Sequence, residues 1–171
     1  MEFSELIKKR RSVRAYKDKA ISEKDLNKLL EMANSAPSAG NLQAYNILVV
    51  KDKEKKSLLA DAAYGQRFIE HAPIVLVFVA MSSISSKRYG HRGRELYAVQ
   101  DATIAAAYAQ LGAINLGFSS AWVGSFDEVK VRKMFGLAQD AKPVAIIPLG
   151  YALKEPPKMP RRKLGEGIHY F

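Results

Sequence analysis

Cysteine is absent from the 171 residues, which excludes disulfide staples, thiolate metal sites, cysteine nucleophiles and Cys-X-X-Cys redox chemistry. Any redox role therefore needs a bound cofactor. Long apolar runs are missing as well: the longest, Pro73 to Met81, holds about nine residues, far short of the roughly 20 that a spanning helix needs. The amino terminus Met1-Glu2-Phe3-Ser4-Glu5 carries acid early and no apolar signal core, so a cytoplasmic protein without a membrane partner is expected. Neither G-x-x-x-x-G-K-[ST] nor G-x-G-x-x-G between a strand and a helix occurs, and a nucleotide would have to be held by other means. The three histidines, His71, His91 and His169, have no acidic ligand cluster near them in sequence, so no metal is expected. Ser38, Ser119 and Ser125 lie in no G-x-S-x-G elbow, which leaves serine hydrolase chemistry unsupported. Acid is scarce: 17 Asp and Glu stand against 27 Lys and Arg, a net charge of +10. That excess points to an anionic partner, whether nucleic acid, an acidic membrane surface or a phosphorylated small molecule.

What is present suits a globule. Hydrophobic residues make up 48% of the chain and charged residues 26%, enough to bury a sizeable core and too apolar for a disordered tail. The length suits a single domain over positions 1–171. Between Ser22 and Ala36 the residues Leu26, Leu29, Leu30, Ala33 and Ala36 share one helical stripe, with Ser22 and Asp25 at capping spacing. Tyr45 to Val50 reads as a strand and residues 54–63 as a short helix. Pro73 to Ala80, continuous and β-branched, reads as a strand covered on both faces at the sheet centre. An alanine-rich helix from about Arg92 to Leu116 closes at Gly117, and small residues on all its sides predict burial by close neighbours. Asp101 on that helix needs a partner, and one of the many arginines is the expected one. Phe118 to Val123 reads as a strand, Asp127 caps a helix that stops at Gly136, and Val144 to Leu149 is the last strand. The pattern gives one α/β or α+β layered domain with about four or five strands. The tail 156–171 lacks periodicity and must dock on something or stay mobile.

Four motifs carry chemistry. Arg10-Arg11-Ser12-Val13-Arg14 crowds three guanidiniums into five residues, which suits an anion such as phosphate lying among them, or else a solvated basic helix end. Pro37-Ser38-Ala39-Gly40-Asn41-Leu42-Gln43 sets Asn and Gln two residues apart after a turn, fit for the edge of a planar polar ring or simply for a helix-to-strand loop. In Trp122-Val123-Gly124-Ser125-Phe126-Asp127 a strand ends at glycine just before a helix, where backbone N–H groups can approach a ligand closely. Arg161-Arg162-Lys163 is a basic tail, a nucleic-acid contact or a second clamp on the first anion.

Together and in this order, these motifs resemble the FMN-dependent nitroreductase family, over nearly the whole chain. The resemblance implies an α+β nitroreductase-like fold: a central mixed or antiparallel sheet of about four or five strands flanked by helices, in an intertwined homodimer with FMN at the subunit interface. It implies that Arg10, Arg11, Ser12 and Arg14 hold the cofactor, Arg10 on the phosphate side and Arg14 toward the pyrimidine N1 and C2 carbonyl. Arg161 or Arg162 from the tail would also grip the phosphate. Pro37, Ser38, Asn41 and Gln43 would approach the ring and ribityl chain from the partner subunit, the backbone of Gly124 and Ser125 would face the flavin N5 region, and Gln66 would touch the polar edge. The catalytic contributions implied are those of Arg14 and the Gly124 backbone. A cation near N1 stabilises the charge of the reduced ring, and an N–H donor at N5 orients the ring where hydride arrives. The activity implied is ping-pong oxidation of NAD(P)H with reduction of nitroaromatic, quinone or related small-molecule acceptors.

Many members are longer and roof the pocket with an extra helical segment after the second strand. Here Ser82 to Gly93 is a short polar stretch, which implies a more open roof flanked by Tyr89, His91 and Arg92. Two rival readings differ in class. A basic nucleic-acid-binding module would explain the charge, yet Arg10 to Arg14 contains no interleaved aromatic. A flavin enzyme that dehalogenates a substrate or cleaves its own reduced flavin would differ only in its acceptor pocket.

Overall fold

Strand β2, Ile74–Met81, organises the molecule, and every residue of it from Ile74 to Ala80 is buried. The structure, a computed structural model, describes residues 2–171. Strands β1 (Tyr45–Val50) and β4 (Ala141–Gly150) pair antiparallel with β2 on either side. The short β3 (Ser119–Ser120) pairs antiparallel with β4, giving the order β1-β2-β4-β3. The expected α+β sheet is therefore antiparallel throughout its named pairs, and β2 lies inside it.

Successive side chains of a strand point to opposite faces, so β2 feeds two cores. Ile74, Leu76, Phe78 and Ala80 join the alanines of a central helix, while Val75, Val77 and Val79 join Leu59, Ala62 and Val131 on the other side. Phe78 is fully buried, and a side chain of that kind contributes about 1.5–3 kcal/mol. Two prolines of β4 shape its ladders, because proline has no N–H to donate. Pro143 faces Val79 where the register shifts between Phe78 and Val79. Pro148 accepts the Ala121 N–H at 3.4 Å and returns no bond, so the strand expected over Phe118 to Val123 shrinks to Ser119–Ser120 and a lone bridge from Val123 to Ile146.

Helix α1 covers Phe3–Lys9, α2 Glu23–Asn34, α3 Lys53–Ala62 and α4 Phe68–His71. Ser22 caps α2 by accepting the Asp25 N–H, as its spacing predicts. The polar stretch Ser82 to Gly93 is helical. It forms α5 (Ser82–Arg92), broken at Gly90 (φ 57°, ψ −138°), and a π-helical turn Gly93–Tyr97 leads into α6, Ala98–Asn115. Past the Gly90 break the chain is helical without interruption from about Arg92 through the π turn to Asn115, as its alanine-rich sequence predicts. The start of α5 is held by a residue remote in sequence: the Asp140 carbonyl accepts the Ser82 N–H at 3.2 Å and its carboxylate accepts the Ser83 N–H at 3.3 Å. Hydrogen bonds from Ser83, its side chain foremost, hold the Asp140 carboxyl below its ordinary range. Such a tertiary cap leaves no local signature. Helix α7, Glu128–Met134, is capped by Asp127, whose carboxylate accepts the N–H groups of Val129 and Lys130 at 2.9 and 3.0 Å. Among the described residues no helix is long and apolar enough to cross a membrane.

Candidate functional site

Beyond α1 the chain runs along the outer edge of the sheet. The Val13 N–H donates to the Ser120 carbonyl at 3.0 Å, Ser12 bridges Ser120, and Tyr16 bridges Ala152. Val13 is buried and Arg14 is exposed, so alternation sends the neighbours of Val13 outward. The Tyr16 hydroxyl lies 2.7 Å from the Val13 carbonyl and 3.2 Å from that of Pro148, pinning this turn of chain to β4. Burial pushes the Tyr16 phenol well above its ordinary value.

Arg10, Arg11, Ser12 and Arg14 line a cleft of about 500 Å³, closed on its far side by the tail residues from Pro156 to Arg161. Six cations, Lys8, Arg10, Arg11, Arg14, Lys158 and Arg161, line it, and no carboxylate does. None of the six belongs to an ion pair among the described residues. Arg11 turns back to the end of α1, its Nη1 donating to the Lys8 carbonyl at 2.6 Å and the Arg10 carbonyl at 3.0 Å. Its guanidinium therefore also satisfies helix-terminal carbonyls. Arg162 does not line the cleft; its guanidinium packs over Gly167.

Arg14 links the cleft to a second cluster. Its Cζ lies 5.8 Å from the centroid of the Phe68 ring at the start of α4. Two residues earlier, Gln66 donates through Nε2 to the carbonyls of Ala63 at 3.0 Å and Ser125 at 3.2 Å. The Asp127 N–H donates to the Ala62 carbonyl at 2.8 Å, so the corner 124–126 is fastened to the end of α3 and, through Gln66, to the segment that follows it. Gly124 and Ser125 are exposed, and their N–H groups have no acceptor among the described residues. Arg14, Gln66, Gly124 and Ser125 therefore fall in one neighbourhood.

Among the described residues, the loop with Pro37, Ser38, Asn41 and Gln43 lines no part of the arginine cleft and makes no hydrogen bond to this cluster. Gly40 (φ 57°), Asn41 (φ 58°) and Gln43 (φ 44°) are all left-handed, a conformation that costs a non-glycine residue about 1–2 kcal/mol. Bonds within the loop hold it there: Ser38 Oγ accepts the Gln43 N–H at 3.0 Å, and Gln43 Nε2 donates to the Asn41 carbonyl at 2.6 Å and to its Oδ1 at 2.8 Å. Its outside anchor is Asp101 of α6, which accepts the N–H of Ala39 at 2.9 Å and of Ala44 at 3.3 Å. The arginine partner expected for Asp101 is thus replaced by two backbone amides, which satisfy a buried carboxylate without a second buried charge. Over the loop sits α5, with Arg88 Nη1 3.4 Å from the Gly40 carbonyl and the Tyr89 hydroxyl filling the space a Gly40 Cβ would need.

Phe68 and Arg88 are the residues around these clusters that motif reading missed, while the sequence points to Asp101 with a different partner and to Tyr89 as a flank of the roof. A carboxylate alone on an alanine helix, after a loop rich in free amides, was the available sign for Asp101. No spacing rule points to Phe68 or Arg88.

Known proteins share this architecture. The profile of the nitroreductase family matches residues 7–66 and 62–151. The NADH dehydrogenase of Thermus thermophilus is 32% identical over 174 positions, which cover 86% of this chain and 85% of that one. The solved FMN-dependent nitroreductase from Clostridium difficile R20291 superposes with a TM-score of 0.82 at 28% identity, covering 96% of each chain. NfrA2 of B. megaterium superposes with a TM-score of 0.89 at 28% identity, covering 97% of this chain and 72% of that one.

Proposed function

The chain belongs to the nitroreductase family, the FMN-dependent oxidoreductases of NAD(P)H, and from that premise we propose a homodimer that passes reducing equivalents from NAD(P)H to nitroaromatic, quinone or related small acceptors. The arginine cleft is its FMN phosphate site. That cleft carries the reading: six cations and no carboxylate converge in about 500 Å³, and an anion relieves such crowding.

The residues fit the group. Guanidinium forks on Arg10 and Arg161 match phosphate oxygens in pairs. Ser12 beside them offers a hydroxyl, with its Oγ 3.5 Å from Arg10 Nη1. Arg14, at the end of the cleft toward Phe68, brings fixed positive charge to the pyrimidine side of the ring and favours the charge that builds there. The unpaired N–H groups of Gly124 and Ser125 are donors for the ring's central nitrogen, and Gln66 steadies that corner through the Ser125 carbonyl. FMN itself, when bound, supplies the hydride acceptance and donation that these side chains lack. The chain's part is to hold, orient and polarise.

A second copy completes the site in this reading. The loop of Ser38, Asn41 and Gln43 has no described contact with the arginine cleft of its own chain, so one chain carries two separate halves. Large apolar side chains stand exposed on α1 and α6 (Phe3 66%, Tyr108 40%) and in the tail (Leu164 77%, Tyr170 91%), a quantity of open apolar surface that suits a buried subunit contact.

Colour is the first test. The purified protein is expected to be yellow or to take up FMN, and the bound flavin to bleach with NAD(P)H and recover with a quinone. A colourless protein that neither binds FMN nor oxidises NAD(P)H in its presence overturns the reading.

A further inference from the structure

The flavin reading leaves a second basic surface stretch unused. Lys87, Arg88, His91, Arg92 and Arg94 occupy eight consecutive positions, and none forms an ion pair among the described residues. Two tyrosines organise two of these arginines. Arg88 Cζ lies 5.4 Å from the Tyr89 ring centroid, and the Tyr89 and Tyr97 rings meet edge to face at 5.2 Å. Arg92 Cζ lies 5.4 Å from the Tyr97 centroid, and its Nε donates to the Tyr97 hydroxyl at 2.9 Å. The outcome is an unbroken row of cation, ring, ring and cation. The Gly90 break and the π-helical turn Gly93–Tyr97 bring Tyr97 back against Tyr89, where a straight helix would carry it more than two turns away.

Arginines held over rings have lost much of their rotamer freedom before any ligand arrives, while most of their N–H groups stay open. At its Arg88 and Tyr89 end the row abuts Gly40, so it borders the loop assigned to the flavin ring. It shares no residue with the arginine cleft.

We propose that this row receives the phosphorylated adenosine end of NADPH, with the Tyr89 and Tyr97 rings against the adenine and Arg92, at the end of the row away from Gly40, on the 2′-phosphate, so that the enzyme prefers NADPH to NADH. The proposal rests on the reading of the chain as an NAD(P)H oxidoreductase. A terminal phosphate dianion is a group that a guanidinium fork holds well. NADH offers a hydroxyl there and leaves that fork unpaired. Adenine offers a flat face to aromatic rings and guanidinium planes alike.

Two measurements test it. Calorimetry on the FMN-loaded protein compares adenosine 2′,5′-bisphosphate with adenosine 5′-monophosphate, and steady-state kinetics compare kcat/KM for NADPH and NADH with one quinone acceptor. The wild type is expected to favour the bisphosphate, and NADPH, by about tenfold or more. The substitution Arg92→Ala is expected to bring both ratios toward unity while the protein keeps its FMN. Should that variant fold poorly, Arg92→Lys keeps the charge, loses the paired geometry and retains only part of the preference. A wild type that treats the two nucleotides alike, or variants that lose both in equal proportion, overturns the subsite. A protein that binds no FMN yet takes the bisphosphate through Arg92 instead overturns the functional reading and leaves the subsite standing.

Discussion

The carboxylate of Asp101 accepts the backbone N–H of Ala39 at 2.9 Å, so a side chain on the buried central helix holds the loop that carries Ser38, Asn41 and Gln43. Asp101 is 2% exposed and has no cation beside it among its described partners. Its charge is satisfied by dipoles of the main chain, which fixes the loop's backbone rather than any one side chain.

Asp101→Ala strips both Ala39 and Ala44 of their acceptor in a buried setting. The expected loss is about 2–4 kcal/mol, at about 1–2 kcal/mol for each orphaned amide, read as a fall in melting temperature of about 2–4 °C per kcal/mol. Asp101→Asn keeps one acceptor oxygen and is expected to lose about half as much. FMN affinity should fall with the loop. An alanine variant that melts like the wild type removes the anchoring role.

Gly40→Ala tests the seat of α5. A Cβ there would lie 2.9 Å from Arg88 Nη1 and would collide with the Tyr89 hydroxyl, on a backbone already at φ 57°. About 1–2 kcal/mol of destabilisation is expected from conformation alone, with further loss as Tyr89 is pushed aside. Thermal melting of this variant beside Gly65→Ala, which has φ +80° and nothing within 4 Å of its Cβ, separates backbone strain from collision.

Two arginines of the cleft are expected to fail differently. Arg161→Ala should weaken FMN by about tenfold while leaving riboflavin binding unchanged if, as proposed, its partner is the phosphate. Arg14→Ala should slow reduction of the bound flavin by more than it weakens FMN. Rapid-mixing kinetics and fluorescence titration measure both quantities, and equal losses in the Arg14 variant would remove its electrostatic role.

Tyr16 sets an alkaline limit on stability. Burial raises its phenol above the ordinary 10.0, so the folded chain keeps a proton that the unfolded chain gives up near that value. The stabilisation is complete below about pH 10 and is lost as pH rises above it. Tyr16→Phe should cost about 1 kcal/mol at neutral pH through the lost hydrogen bond and should flatten the decline above pH 10, as followed by denaturant melts across pH.

The elements governed by local rules were legible from the residues. The Ser22 and Asp127 caps, the apolar run of β2 and the helix stop at Gly117, which has φ 81°, each follow from a few neighbouring positions. Elements governed by distant partners were not. Helix α5 has no apolar stripe and owes its first turn to Asp140, 57 positions away in sequence from Ser83. The strand after Phe118 is cut short by a proline on its neighbour, not by anything in its own residues. At the site, the arginine motif and Arg161 were legible because charge is conspicuous in composition. The link from Asp101 to Ala39 was not, because a carboxylate among arginine-rich segments suggests an ion pair, and only the fold brings backbone amides to it first.

One face of α6 consists of Ala98, Ala102, Ala105, Ala106, Ala109 and Ala113, all completely buried. With nothing larger than a methyl group at these positions, the standing height of that helix above the sheet is gauged by backbone contact, and interiors this dense do not absorb an added carbon without shifting. Enlarging any of these alanines would lift the helix and draw Asp101 away from the two amides it serves. The conformation of the Ser38–Gln43 loop is therefore adjustable from positions that lie outside it, one methyl group at a time.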